Sequence, residues 1–154
     1  MSPELDSKLC EKYPKIFVNR HADMRTTAMC WGFECGSGWY NIIDALCSNI
    51  QSYIHNNNNW REQLLKNNPY NNKIPDELPQ VVAVQVKEKF GGLRFYVDRS
   101  DSVVDALISM AESMSYRTCE VCGSPGTPRR GGWIRTLCDT HAAEQGYDQD
   151  NKAE

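Results

Sequence analysis

Four residues near the C-terminus have the types and spacing to hold a metal ion. Cys119-Glu-Val-Cys122-Gly123 is a C-x-x-C-G turn, in which two thiolates point toward one centre and glycine permits the bend. After fifteen intervening residues comes Cys138-Asp-Thr-His141. Two such pairs supply the three thiolates and one imidazole that tetrahedral zinc prefers, with no position left for a catalytic water. One structural zinc is therefore expected, its binding energy serving as folding energy. The competing readings of Cys119 and Cys122, a redox pair or small core residues, weaken once Cys138 and His141 are counted. Pro125, Gly126, Gly131 and Gly132 punctuate the stretch between the pairs, as in a hairpin, and Thr140 to Gln145 reads as a short helix. Knuckle, hairpin and ligand-bearing helix together describe a treble-clef-like module.

The other cysteines carry less. Cys30 and Cys35 with His21 could begin a second metal site, but no fourth ligand suggests itself, and buried thiols beside Trp31 and Phe33 are the expected reading. Cys47 falls on the apolar stripe of a helix. Seven cysteines in a chain without a secretory signal at its N-terminus fit metal ligation better than disulfides.

Two features suit an anionic or aromatic partner. Arg129-Arg130-Gly-Gly-Trp133-Ile-Arg135 gathers three guanidiniums around an indole inside the zinc hairpin. Lys87, Lys89 and Arg94 cluster on one face of a second hairpin, with Lys89 opposite Arg94, a like-charged pair that a partner would relieve. Each also has a bland reading: a charged tip with Trp133 over the metal, and cations balanced by Glu88 or Asp98. Removing Arg129, Arg130 and Arg135 together is expected to abolish partner capture and leave the fold intact. Glu88, on the apolar hairpin face, calls for an internal partner, most simply an arginine.

The elements that must position these residues follow from periodicity. A short helix runs from Pro3 to about Tyr13 and stops at Pro14. A longer one, about 39–55, places Trp39, Ile42, Ile43, Leu46, Cys47, Ile50, Tyr53 and Ile54 on one face, a stripe broad enough for a core or a dimer. Asn56 to Asn59 is expected to close it, and Trp60 to Lys66 extends or restarts a helix before the polar stretch 67–79. A hairpin spans about 81–97 around Gly91-Gly92, pairing Phe90 with Leu93, Lys89 with Arg94 and Glu88 with Phe95. A helix at about 102–116 opens on a Ser102–Asp105 capping box and buries Val103, Leu107, Met110, Ala111 and Met114. The expected fold class is α+β. A small antiparallel sheet or hairpin packs with helices in a body spanning 1–116. The zinc module follows at 117–146, and a polar tail at 147–154.

Composition bounds the function. With 154 residues, 40% hydrophobic and 24% charged, and a net charge of −3, the chain is an ordinary soluble composition without the basic excess of a bulk nucleic-acid binder. No run approaches the roughly 18 apolar residues of a membrane span, and a cytoplasmic site is expected. No nucleophile–base pair, P-loop, dinucleotide fingerprint or H-E-x-x-H is present, so an enzyme is not expected.

The blocks Phe33-Glu-Cys-Gly-Ser-Gly-Trp-Tyr40, Gln85-Val-Lys-Glu-Lys-Phe-Gly-Gly-Leu-Arg-Phe-Tyr96 and Arg117-Thr-Cys-Glu-Val-Cys-Gly123 with Leu137-Cys-Asp-Thr-His141 resemble small, largely uncharacterised proteins of tailed bacteriophages and prophages. The resemblance implies a phage accessory protein in the bacterial host cytoplasm that binds and disables a host or anti-phage defence protein. The alternative is a sponge for a nucleic acid or nucleotide messenger, using the same basic and aromatic groups. A nuclease is the least favoured expectation, since no Asp/Glu/His cluster offers itself to a catalytic ion.

Overall fold

The computed structural model describes residues 1–68, 70 and 73–147; most of the tail expected at 147–154 lies outside them. The described chain is mixed α+β: four α-helices, a three-stranded sheet and a two-stranded hairpin. The helices are α1 (Pro3–Lys12), α2 (Tyr40–Asn67), α3 (Ser102–Ser115) and α4 (Asp139–Glu144). The strands are β1 (Phe33–Glu34), β2 (Ala83–Lys89), β3 (Gly92–Val97), β4 (Thr127–Arg129) and β5 (Arg135–Leu137). Among the described residues no helix is long and apolar enough to cross a membrane.

As the sequence predicts, α1 starts at Pro3 and ends just before Pro14; Ser2 caps it by accepting from the Leu5 N–H. The segment 16–35, which shows no clean periodicity, contributes Ile16, Phe17, Met29, Phe33 and Cys35 to the core, and β1 joins the sheet parallel to β2. The sheet is therefore not purely antiparallel.

The apolar stripe of α2 is as expected: Trp39, Ile42, Ile43, Leu46, Cys47, Ile50 and Ile54 are all buried in the main core. The asparagine run does not close the helix, which continues for 28 residues to Asn67. Asparagine is a poor helix former, but tertiary hydrogen bonds override its propensity here. Asn58 donates to the Leu78 carbonyl and accepts from the Leu78 N–H, at 2.9 and 2.8 Å.

The β2–β3 turn falls one residue earlier than expected, which moves every cross-strand partner by two residues. Lys89 pairs with Gly92, Glu88 with Leu93, Lys87 with Arg94 and Val86 with Phe95, so the turn residues are Phe90 and Gly91. Their φ angles of 53° and 78° are those a two-residue hairpin turn requires. Gly92 cannot serve in the turn because it is needed in the strand. A methyl group there would stand 2.3 Å from the Tyr116 ring. Phe90 consequently adopts a left-handed conformation, and Glu88 steadies the turn by accepting from the Gly91 N–H at 2.6 Å.

Helix α3 departs from its expected cap and stripe. Asp101, not Ser102, caps it, accepting from the Val103 and Val104 N–H groups at 3.0 Å. The Val104 N–H bond leads in holding the Asp101 carboxyl below its usual range. The helix buries Val104, Ala111 and Ser115, leaving Val103, Met110 and Met114 substantially exposed. The rotation has a cause at the sheet edge, where β3 presents unpaired N–H groups. Ser115 accepts from Leu93 N at 2.8 Å and Glu112 from Phe95 N at 3.2 Å, so polar residues must face the strand. Asp101→Ala should cost about 1 kcal/mol. Because folding depresses this carboxyl's pKa, the cap's contribution is present near neutrality and declines as pH falls through the folded pKa. Urea denaturation at pH 7 and pH 3 checks both statements, with the difference between wild type and variant expected to shrink in acid.

Candidate metal centre

The knuckle is built by backbone hydrogen bonds before any metal is considered. Gly123 N donates to the Cys119 carbonyl at 2.9 Å and Cys119 N to the Ser124 carbonyl at 2.8 Å. Gly123, at φ 80°, turns the chain so that both sulfurs face one point. The β4–β5 hairpin then carries the chain to Cys138, which caps α4 with its sulfur accepting from the His141 N–H. Capping places Cys138 and His141 on the same side of the first helical turn.

The ligand atoms of Cys119, Cys122, Cys138 and His141 all lie within 4.8 Å of one another. His141 Nδ1 stands 3.1 Å from Cys138 Sγ and 3.6 Å from Cys119 Sγ, and Cys122 Sγ is 3.9 Å from Cys138 Sγ. Three sulfurs and one imidazole nitrogen at this spacing fit a tetrahedral metal ion, and the donor set suits a soft or borderline one. His141 Nε2 lies 3.8 Å from the Glu144 carboxylate, the outer partner that orients a ligating imidazole. Without metal, hydrogen bonds from Ser124 bring the exposed Cys122 thiol down to about 6. The His141 N–H lowers Cys138, the Cys138 sulfur raises His141, and burial raises Cys119. Among the described residues no other group of three or more such ligands comes together. Cys35 is buried in the main core, and burial pushes its thiol up to about 12.

The metal-binding segment is bonded directly to the body rather than appended to it. Glu120, between the two knuckle cysteines, is buried; its carboxylate accepts from Gly36 N at 2.9 Å and its carbonyl from Gly38 N at 2.8 Å. The Trp39 indole donates to the Thr118 carbonyl at 2.8 Å. Gly36 and Gly38 form a seat for the knuckle. A methyl group on either would stand 2.2 Å from a knuckle carbonyl oxygen. Sequence reading missed Glu120 and this seat, although the F-E-C-G-S-G-W-Y block was conspicuous.

The seven residues singled out for partner binding divide. Arg129 is buried, donates to the Leu137 carbonyl and pairs with Asp139, so it belongs to the packing behind the hairpin, not to a partner surface. The triple arginine variant should therefore disturb packing at Arg129, whose buried guanidinium donates to the Leu137 carbonyl, rather than leave the fold untouched. Arg135 pairs with Glu120 at 3.0 Å and donates to Gln145. Arg94 donates to the Tyr116 hydroxyl at 2.9 Å and lies 3.9 Å from Glu112. Lys89 does not face Arg94; Lys87 does, with its ammonium over the Tyr96 ring. Arg130, Trp133 and Lys89 are exposed. Glu88 finds an indole instead of an arginine, accepting from Trp133 Nε1 at 3.1 Å.

The fold and site define a mixed α+β protein with a Cys3His cluster whose geometry is consistent with a metal site. Comparison with family models, curated proteins and solved structures finds no significant match.

Proposed function

We propose that the chain is a non-catalytic binding protein, stapled by one zinc ion in a treble-clef-like module, that captures a protein partner. The observation that carries this reading is the convergence of two segments far apart in sequence. The β2–β3 turn and the β4–β5 tip meet: Thr136 Oγ1 donates to the Gly91 carbonyl at 2.6 Å, and the Trp133 indole donates to Glu88. The meeting exposes Phe90, Trp133 and Ile134 together with Lys89 and Arg130. Exposed aromatics with a cationic rim are the composition of protein-binding hot spots. Four protein ligands fill a tetrahedron, so the zinc is a staple. Nucleic-acid or nucleotide capture is less favoured, because Arg129, Arg135 and Arg94 are spent on internal partners. The resemblance to phage proteins makes the target a host or anti-phage defence protein.

The test is affinity capture from a bacterial lysate on the metal-loaded chain, followed by reconstitution with the purified captured protein. One zinc per chain and a saturable complex with that protein are expected. A nucleic acid or nucleotide as the sole bound species would overturn the reading.

A further inference from the structure

Around the joined hairpin tips the nearby acids are engaged in internal hydrogen bonds. Glu88 is held by the Gly91 N–H and the Trp133 indole, and buried Glu120 by Gly36 N and Arg135. Lys89 and Arg130 are exposed, and among the described residues neither has a carboxylate within ion-pair distance. The chain as a whole carries −3, yet Lys89 and Arg130 stand here without ion pairs among the described residues, and half-buried Glu88 turns its carboxylate to two neutral N–H donors. The same two tips expose Trp133 at 66%, Phe90 at 65% and Ile134 at 36%.

These apolar groups are held in place. Tyr147 donates to the Trp133 carbonyl at 2.7 Å, Glu88 holds the indole, and a methyl group at Gly91 would stand 3.0 Å from Ile134 Cγ2. The Lys89 ammonium sits 5.4 Å from the Phe90 ring centroid. A braced aromatic surface has less freedom to lose on binding, which favours affinity. Its complement is an apolar anchor flanked by negative charge. Phosphate tracking along a nucleic acid would need a longer run of free cations than Lys89, Arg130 and the half-buried Lys87 provide.

We propose that Phe90, Trp133 and Ile134, rimmed by Lys89 and Arg130, form a docking surface for a partner segment that carries an apolar side chain between acidic residues. The proposal rests on the protein-binding reading above and names the chemistry of the partner. Charge complementarity sets orientation and on-rate, and the apolar anchors set the lifetime of the complex.

The experiment is selection of a random dodecapeptide display library on the full metal-loaded chain at physiological salt. Peptides with Asp or Glu on both sides of an aromatic or aliphatic residue should be enriched. The best synthetic peptide should then lose about tenfold or more in affinity to Phe90→Asn and to Arg130→Glu. Asparagine accepts the positive φ of position 90, so that variant removes the ring and keeps the turn; unchanged zinc content and melting temperature confirm it. Enrichment of neutral or basic peptides, or no enrichment, would overturn the proposal. So would affinity unchanged in both variants, although a protein partner retained by them would leave the broader protein-binding reading standing. Salt-sensitive binding of a single-stranded oligonucleotide, with no peptide selected, would sink both.

Discussion

Gly38→Ala should destabilise the molecule by about 3 kcal/mol or more and lower its melting temperature by about 10 °C. The added methyl group would stand 2.2 Å from the Cys119 carbonyl oxygen, 2.5 Å from Gly123 N and 2.8 Å from Cys122 N. All three obstacles are backbone atoms of the metal knuckle, so no rotamer change can make room. Either the knuckle withdraws from the N-terminal end of α2 or the metal ligands shift out of register. Both outcomes sever the Gly38 N to Glu120 carbonyl bond and disturb the Trp39 indole bond to Thr118. Metal content should fall along with stability. Gly132→Ala is the matched control, because a methyl group there meets nothing within 4 Å. Calorimetry and zinc analysis of the two variants measure the contrast. A Gly38→Ala protein that melts with the wild type would show that the knuckle is not seated as described.

Cys119→Ser should reach further than its own site. It removes the most deeply buried of the four ligands and withdraws a metal-binding term of about 10 kcal/mol at neutral pH. The small cluster behind the site, Cys119, Leu137 and Ala142, is too meagre to hold the segment from Arg117 onward by packing alone. That segment should unfold locally, while the main core around Trp39, Ile43, Ile50 and Phe95 persists. Hydrogen exchange reads the consequence at a distance. The amides of Gly36 and Gly38, which donate to Glu120, should lose protection together with the Gly91–Thr136 contact. Chelation of the wild-type protein should reproduce the pattern, and readdition of zinc should reverse it. Retained protection at Gly36 and Gly38 in the metal-free protein would separate the metal from the body. The same contacts imply that any partner binding through Trp133 and Phe90 weakens when the metal is lost.

The two expectations share a cause in how the chain is wired. Glu120 lies in the knuckle, Gly36 and Gly38 precede α2, Glu88 lies near the end of β2 and Gly91 in the β2–β3 turn. The metal site is thus bonded to the sheet and to the long helix.

What the sequence determined by itself is local. The ligand set was legible because Cys119, Cys122, Cys138 and His141 come in two pairs, each brought together by one turn or one helical turn. The stripe of α2 was legible because every third or fourth residue is large and apolar, a pattern that one buried face suffices to explain. Tertiary structure decided whatever depends on a partner from another element. The length of α2 turned on Asn58 meeting Leu78, twenty residues away. Hairpin register turned on Tyr116, whose ring claims the space at Gly92 and forces Phe90 into the turn. The face of α3 turned on the bare edge of β3, which drew Ser115 and Glu112 inward and left Met110 and Met114 in solvent. The fate of each arginine turned on its nearest carboxylate, burying Arg129 beside Asp139 and leaving Arg130 free of an ion pair among the described residues. Periodicity and spacing report contacts within a few residues. A side chain's freedom to meet a partner depends on neighbours that only the folded chain supplies.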